Sequence, residues 1–331
     1  MQLKEISRQE EWDELAASLG AGPYLFWAWR VAVERAYGHR PLYLAAFRGK
    51  TPEAILPLFK FKTPRGSRLV SLPFCDYGGI LATNEEAFLF IWEKARELAR
   101  AHGGLELRFP ERPPYLSNEK GSEAKVRLLL PLPDRAETLW KQLKAKVRSQ
   151  VRRPQKEGAE AVTGGQELLP AFYRIYQENM HYLGSPPHSL AWFKAVLSSY
   201  GKMARVVLVH LRGEPLAGGI LLFTEEEAVN PWASSRRSFK KISPNMLLYW
   251  QMLALATERG LLRFDFGRSS PGSGTYRFKR QWGAEEKPLF WYGREEGGPS
   301  RGRALAARIW PKIPLSWANF IGPRLRRYIS L

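Results

Sequence analysis

The hydrophobic and polar positions of this chain follow two periods, and their order predicts a mixed α/β structure. Apolar and β-branched runs between glycine or charged pairs predict strands, whereas apolar residues spaced three and four apart predict helices. In chain order the pattern predicts strands at 3–6, 41–47, 53–61, 68–72, 79–81, 104–109, 126–132, 159–163, 204–211, 216–224, 228–233, 261–266 and 288–292. It predicts helices at 10–19, 26–36, 84–101, 134–156, 167–182, 190–199, 244–259 and 276–282.

The same order of elements occurs twice along the chain. Phe47-Arg48-Gly49 aligns with Leu211-Arg212-Gly213, and residues 56–59 align with 220–223, at a constant offset of 164. Each hairpin follows two predicted helices and precedes a strand, a helix, a glycine and another strand, which is the pattern of a diverged internal repeat. The repeat predicts three segments, which are a first domain at 1–133, a second domain at 134–295 and a tail at 296–331.

Two predicted helices have features beyond their period. The linker helix 134–156 begins with a capping box of Asp134 and Glu137. Its apolar residues recur every four positions and therefore share one face. They are Leu139, Leu143, Val147 and Val151. Helix 244–259 follows Ser243 as N-cap and is apolar around most of its circumference, which predicts a buried helix.

The charge of the chain is large and concentrated in two places. The 331 residues include 51 basic and 32 acidic side chains, a net charge of +19. Residues 139–156 and 301–331 each contribute seven basic residues and no acidic one. This local excess predicts an anionic partner, and RNA or a polyanionic lipid-linked precursor fits the first stretch. A hydrophobic content of 44% excludes a mainly disordered chain.

The termini and the single cysteine bear on location. The polar, acidic N-terminus predicts no signal peptide, and no apolar run reaches the length of a membrane span. Cys75 is the one cysteine, which favours a reducing cytoplasm and a buried thiol. The tail 301–331 mixes aromatic residues with arginine and contains three prolines. Two interpretations stay open, a packed or disordered tail and a tail on an anionic membrane, peripheral at the inner face of the cytoplasmic membrane.

Several runs of residues carry a family resemblance. They are Pro244-Asn245, 264–269, 274–279 and 281–284, with 179–187 and 72–79 in addition. In these runs the chain resembles the FemAB-like proteins, in particular the branch associated with exosortase (PEP-CTERM) exopolysaccharide systems, over about residues 1–295. The resemblance implies two tandem GNAT-like domains with mixed, mostly antiparallel sheets flanked by helices. It also implies amide formation, in which an amine on a sugar or peptide attacks an activated acyl or aminoacyl ester.

The resemblance leaves the partners open. It implies a peptidoglycan or polysaccharide precursor as acceptor, and either aminoacyl-tRNA or an acyl-CoA as donor. FemAB-like enzymes that use tRNA often carry a long helical hairpin in the second domain, for which this sequence has no room. The rival hypotheses are an acetyl-CoA-dependent GNAT N-acetyltransferase and a non-catalytic scaffold that docks on membrane or RNA. No cofactor and no oligomeric state follow from the sequence.

Asp265 and Lys279 are the predicted catalytic residues. Asp265 ends a predicted strand, where a carboxylate can orient an attacking amine or accept its proton. Lys279 lies in the basic helix that follows, where a cation can stabilise the oxyanion of a tetrahedral intermediate. The resemblance implies that the loop 267–274 faces the cleft for donor and acceptor. The alternative for Asp265 is a structural cap on the amides of residues 268–270.

The remaining candidates are polar or cationic groups near this loop and at helix ends. The predicted substrate-binding residues are Arg268, Tyr276, Arg277, Asn245, Asn179 and His181. The predicted anion-binding residues are Arg236, Arg237, Lys240 and Lys241. Their segment, 233–243, has no glycine, so side chains rather than backbone would hold a phosphate; a solvated loop is the alternative. No histidine has metal-ligand spacing to cysteine or carboxylates, so no metal is predicted.

Overall fold

The computed structural model describes residues 1–64, 66–293 and 301–331, with all their side chains except those of 301–304. Within these residues the chain forms two compact units. The first comprises 1–127, 287–293 and 327–331, and the second comprises 128–286 and 301–326. The break between Arg127 and Leu128 therefore precedes the predicted boundary at 133, and the predicted tail contributes to both units.

The elements alternate along the chain in the predicted manner. Up to residue 131 they are β1 (Gln2–Glu5), α1 (Gln9–Ser18), α2 (Trp27–Tyr37), β2 (Arg40–Arg48), β3 (Thr51–Thr63), β4 (Gly66–Ser71), β5 (Leu81–Ala82), α3 (Glu85–Arg100), β6 (Leu105–Phe109), β7 (Gly121–Ser122) and β8 (Val126–Pro131). They continue with α4 (Ala136–Gln142), α5 (Ala145–Lys156), β9 (Ala159–Gly164), α6 (Leu169–Tyr182), α7 (Leu190–Tyr200), β10 (Ala204–Leu211), β11 (Glu214–Phe223), β12 (Glu227–Ser235), α8 (Pro244–Glu258), β13 (Arg263–Ser269), α9 (Gly274–Arg280), β14 (Glu285–Pro288), β15 (Phe290–Tyr292), α10 (Arg301–Ile309) and α11 (Leu315–Arg326).

The first unit is built on one mixed sheet. Its strand order is β1-β2-β3-β4-β6-β15-β7, with β5 paired to β3. Strands β4 and β6 are parallel, and the crossover between them contains α3. This helix begins at the N-cap Asn84, whose side chain accepts the amide N–H of Ala87. Its apolar face, including Ile91 and Trp92, packs on sheet residues such as Leu56, so it stabilises the sheet by burying apolar surface.

The second unit repeats this plan. Its sheet has the order β14-β8-β13-β12-β11-β10-β9, in which β12 and β13 are parallel and the crossover contains α8. Each unit thus orders strand, two helices, hairpin, antiparallel strand, helix and parallel strand, which confirms the predicted repeat. The aligned hairpin turns share a physical cause, because Gly49 and Gly213 both have positive φ, at 62° and 80°.

The buried helix predicted at 244–259 is confirmed as α8. Ten of its fifteen residues are buried, including Met252 and Leu253 at 0% exposure. The predicted cap is wrong, however. Ser243 has a left-handed conformation, at φ 59° and ψ 51°, and its side chain makes no cap hydrogen bond. An N-cap residue usually has an extended backbone. Ser243 does not, because the chain enters α8 directly from the 3-10 turn Arg237–Ile242.

The linker helix predicted at 134–156 is two helices. Leu143 is extended, at φ −64° and ψ 140°, and separates α4 from α5. Arg148 stabilises the break, because its Nη1 donates to the carbonyls of Lys141 and Leu143 at 3.1 Å each. The predicted capping box is absent, since Arg135 is the N-cap and makes no side-chain bond. The four apolar residues of the predicted face are nevertheless all buried.

Other boundaries also differ from the prediction. Strand β13 continues to Ser269, so the predicted loop 267–274 shortens to 270–273. Strand β15, predicted for the second domain, belongs to the first unit because it pairs with β6. The tail forms two helices, α10 and α11, and Pro323 lies inside α11. Among the residues that the structure describes, no helix combines the length and apolar character needed to cross a bilayer.

Candidate functional site

The second unit opens where its two parallel strands separate. In the described chain β12 and β13 pair at three positions, which end with Val229 opposite Asp265. Beyond this point β12 stays with β11, and the register shifts at Asn230. The buried Asn230 side chain holds the irregular stretch by donating to the carbonyls of Ile220 at 2.8 Å and Trp232 at 3.0 Å. Strand β13 continues from Phe266 without β12 as a partner, so a gap opens between the strands.

Asp265 and Lys279 both hold the backbone at this opening. Asp265 is fully buried, and its Oδ1 accepts the N–H of Gly267 at 2.7 Å. Lys279 is 8% exposed, and its Nζ donates to the carbonyls of Gly267 at 3.0 Å and Arg268 at 2.8 Å. The structure therefore brings the two predicted catalytic residues to successive peptide units of one short segment, residues 266–269. Asp265 thus caps the amide of Gly267, one residue before the amides 268–270 that the alternative interpretation named.

The predicted binding residues of α9 lie on its exposed sides. Tyr276 donates its hydroxyl to a carboxylate oxygen of Glu286, and this hydrogen bond raises the pKa of Tyr276. Arg277 is exposed, and its Nη1 donates to the carbonyl of Gly272 at 2.5 Å. Arg268 is half-buried on the last part of β13. These three residues flank the short loop 270–273 along the chain, and Arg277 and the Tyr276 amide contact it directly.

A cleft that the sequence did not reveal lies beside α9. It has a volume of about 320 Å³ and is lined by residues 142–144 and 280–285. Exposed Lys144 and Arg280 make its rim cationic, with Glu285 as the one acidic lining residue. Its buried wall contains Trp282, which packs near Tyr249 of α8. The break between α4 and α5 creates this cleft. The sequence did not predict the break, because apolar residues recur every four positions on both sides of Leu143.

The other predicted substrate-binding residues make contacts away from the loop. Asn179 on α6 donates to the Ser234 hydroxyl of β12 at 3.1 Å. The Nε2 of His181 is 2.8 Å from the carbonyl of Ile313, so this ring anchors the tail. Asn245 is half-buried in the first turn of α8. The structure does not bring His181 to Asp265 by any contact of the described residues.

The basic side chains just before α8 are of two kinds, one paired with carboxylates and three exposed to solvent. Arg236 is held by Glu178 at 2.8 Å and by Glu214 at 2.5 Å, and its hydrogen bond to Glu178 raises its pKa. Its charge is thus neutralised within the protein. The other cations are exposed and form no ion pair with a carboxylate of the described residues. They are Arg237, Lys240 and Lys241, which leaves three of the four predicted anion-binding residues accessible.

The first unit has the same strand separation, but its own chain fills it. Strands β4 and β6 pair last at Val70 opposite Glu106. Beyond this point Gly78 donates to the carbonyl of Arg108 at 2.9 Å, so the loop 72–79 takes the position beside β6. Arg108 is fully buried and donates from Nη1 to the Cys75 carbonyl at 3.0 Å. The loop 72–79 therefore closes the first opening, and Cys75 is the buried thiol that was predicted.

No group of three histidine, cysteine or carboxylate side chains in the described part of the chain could bind a metal ion.

His188 gives the second unit a dependence on pH. It is 1% exposed and stacks on Trp192, and its Nε2 accepts a hydrogen bond from Arg326 at 3.1 Å. Burial, with the nearby Arg326 charge as a smaller cause, lowers its pKa well below 6.5. The unfolded chain binds a proton below that pH that the folded protein does not, so stability falls as the pH falls.

We expect His188 to lower the free energy of unfolding by about 1 kcal/mol for each pH unit below 6. Urea unfolding at pH 7.5, 6 and 5 measures the slope. His188→Gln should show a shallower slope, whatever its stability at pH 7.5. Equal slopes for the two proteins would contradict a neutral buried His188.

Comparisons with known proteins agree with this fold. Residues 143–280, which include the parted strands and α9, match the family model of an acetyltransferase (GNAT) domain. The crystal structure of FemX superposes with a TM-score of 0.68 at 16% identity, over 88% of this chain and 97% of that chain. A tandem GNAT protein from the clavulanic acid biosynthesis pathway gives 0.55 at 12% identity, over 90% and 99%. The chain has a tandem GNAT fold. L-PGS from Bacillus licheniformis has a similar architecture, with a TM-score of 0.60 at 14% identity over 94% and 99%.

A curated relative adds a similarity of sequence. The lipid II:glycine glycyltransferase of Staphylococcus haemolyticus (strain JCSC1435) is 27% identical over 88 residues. This match covers 24% of the present chain and 21% of that protein, so it spans about a fifth of the relative's length. The FemAB-like resemblance is thereby supported by a FemX-like relative, whereas membership of the exosortase-associated branch stays a prediction.

Proposed function

We propose that this protein is an acyltransferase that forms an amide bond at the opening of its second unit. In the reaction an amine nitrogen bonds to the carbonyl carbon of an activated ester or thioester. The carbon–oxygen or carbon–sulfur bond of the donor breaks, and the proton lost by the amine neutralises the leaving group. The observation that carries the proposal is that β12 and β13 stop pairing after Val229 and Asp265, next to the backbone of Gly267 and Arg268 that Asp265 and Lys279 hold.

The separated strands supply the chemistry of such a site. Backbone N–H and C=O groups that have lost a neighbouring strand are strong hydrogen-bonding groups, and an extended amide-containing substrate pairs with them. The Gly267 N–H already donates to Asp265, so in this proposal other N–H groups of the same strand edge stabilise the oxyanion of the tetrahedral intermediate. Asp265 and Lys279 fix Gly267 and Arg268 from the protein side. We therefore assign them a positioning role, with Arg268, Tyr276 and Arg277 toward the substrates.

The charges outside the opening fit a phosphate-bearing donor. Arg237, Lys240 and Lys241 are exposed just before α8, and side-chain cations bind phosphate without a glycine-rich backbone cradle. Phosphate is common to aminoacyl-tRNA and acyl-CoA, so both donors stay in the proposal. FemX and the glycyltransferase relative suggest an amine on a peptidoglycan or polysaccharide precursor as acceptor. Such donors and precursors belong to the cytoplasm, where we place the reaction.

Transfer of a labelled acyl group tests the proposal and separates the donors. The purified chain is mixed with an amine-bearing cell-wall precursor and either a ¹⁴C-aminoacylated tRNA pool or ¹⁴C-acetyl-CoA. We expect one donor to place label on the acceptor in a bond that neutral hydroxylamine does not cleave, since amides resist it and esters do not. The control is an acceptor whose amine has been acetylated beforehand. Absence of stable label from both donors, with a panel of peptide and sugar amines, would refute the proposal.

A further inference from the structure

The C-terminal helix α11 packs on the second unit through its small residues and turns large ones outward. Ala318 and Gly322 are buried. Gly322 lies so close to Pro187 that an added Cβ would be 2.5 Å from the proline Cδ. Trp317 and Phe320 are each 62% exposed. With Arg324 they occupy spacings of three and seven residues, so all three share the outer face of the helix.

A second group of exposed apolar residues lies where α10 meets the end of α6. Leu305 and Ile309 are 58% and 49% exposed and one helical turn apart. Tyr182 and Leu183 are 50% and 59% exposed. The two pairs are neighbours because Gly184 abuts α10 so closely that a Cβ on it would be 2.2 Å from the Ala307 carbonyl oxygen. We call these residues the tail surface. It comprises Tyr182, Leu183, Leu305, Ile309, Trp317 and Phe320.

The charges of the tail itself are of one sign. Residues 301–331 contain seven basic residues and no acidic one. Arg324 lies over the Phe320 ring at 4.0 Å, and Arg237 lies over the Tyr182 ring at 3.7 Å. Lys240 and Lys241 stand exposed in the same turn as Arg237. Exposed apolar side chains among cations complement an anionic surface with an apolar interior.

We propose that the tail surface docks the protein on the face of an anionic lipid bilayer. The aliphatic members of the surface favour lipid over RNA. RNA-binding sites stack bases on aromatic rings, and Leu183, Leu305 and Ile309 offer no ring. These side chains gain by leaving water for hydrocarbon, whereas tryptophan and tyrosine suit the headgroup region. Helices of nine and twelve residues lie along such an interface rather than through it.

Vesicle flotation of the full chain tests the apolar contribution. The vesicles contain phosphatidylcholine alone or with about a third phosphatidylglycerol, a composition that provides the anionic surface. We expect wild-type protein to float with the anionic vesicles and Trp317→Ser/Phe320→Ser to bind about 100-fold more weakly. Leu262→Ser is the matched control, because Leu262 is 58% exposed but lies outside the tail surface. Wild-type binding by the double variant would overturn the proposal.

A pair of charge variants tests the cationic contribution. Arg308→Gln/Lys312→Gln should bind anionic vesicles about tenfold more weakly than wild type at low salt. Lys194→Gln/Lys202→Gln removes the same net charge from exposed positions elsewhere in the second unit and should bind as wild type. If both variants lost vesicle binding equally, net charge alone would explain the loss, and the proposed docking surface would be contradicted.

Two further measurements decide whether lipid is the partner. Brominated lipids should quench Trp317 fluorescence, and Trp317→Phe should remove that part of the quenching while the protein still floats. Binding of a fluorescent RNA should be unaffected by Trp317→Ser/Phe320→Ser. If the double variant lost RNA binding but kept vesicle binding, the tail surface would be an RNA site and the lipid proposal would fail. Labelled transfer to a soluble acceptor should stay at the wild-type rate in the double variant, so this test is independent of the proposed activity.

Discussion

Arg108→Met is expected to lower the stability of the first unit by about 3 kcal/mol. Arg108 is fully buried, and its Nε donates to Glu106 Oε1 at 2.8 Å. Methionine fills a similar volume, so the main cost comes from the Glu106 carboxylate, which stays buried after it loses its fully buried partner and keeps the partly exposed Arg68 at 2.9 Å. Urea unfolding followed by circular dichroism gives the free energy, and hydrogen exchange of β4 and β6 locates the loss.

The double variant Glu106→Gln/Arg108→Met is the control for this explanation. It removes the buried carboxylate together with its partner, and it should regain a large part of the lost stability because replacing both members of a buried pair costs less than replacing one. A double variant no more stable than Arg108→Met would show that the carbonyl contacts of Arg108, rather than the buried charge, hold the loop 72–79.

The repeat was predictable because its signals are local. Glycines with positive φ at the turns, alternation along the hairpins and the apolar helix after them are each encoded within a few residues. The parallel pairing of β4 with β6 and of β12 with β13 joins residues about 36 positions apart, as Val70 with Glu106 and Val229 with Asp265 show. Where such pairing stops depends on tertiary packing, so the two openings were not predictable from periodicity.

The sequence predicted which segment contains the candidate site, but it did not predict how the side chains of that segment are placed. The strand, the loop and the basic helix around Asp265 and Lys279 follow from the sequence. The burial of Lys279 does not, because a lysine in a basic helix is usually on its solvated face. Glu106 and Arg108 did leave a signal, since opposite charges two residues apart share one face of an otherwise apolar strand. The last paired residue of each parallel pair is a buried acid, Glu106 or Asp265, which supports a role in the repeat's architecture.

Lys279→Met is expected to lower the rate of amide formation about 100-fold while the protein stays folded. The methionine side chain suits a buried position of this size, but it cannot donate to the carbonyls of Gly267 and Arg268. The backbone at the opening then loses two hydrogen bonds, and a displacement of about 1 Å near reacting groups is enough for a loss of this order. Single-turnover transfer of labelled acyl groups measures the chemical step, and urea unfolding checks the fold.

Substitutions of Asp265 separate positioning from direct proton transfer. The asparagine Oδ1 in Asp265→Asn still accepts the Gly267 N–H, so positioning predicts a loss of less than about tenfold, whereas Asp265→Ala removes the acceptor and should be as impaired as Lys279→Met. A general base would lose about 10²–10⁴-fold in either substitution, because neither side chain takes a proton near neutral pH. The pH profile adds a second criterion, since Asp265→Asn abolishes the acidic limb of the rate only if that carboxylate titrates during turnover. Equal inactivity of the asparagine and alanine variants would therefore exclude positioning and assign the proton to Asp265, which is one of the two roles that its place at the end of the strand predicted.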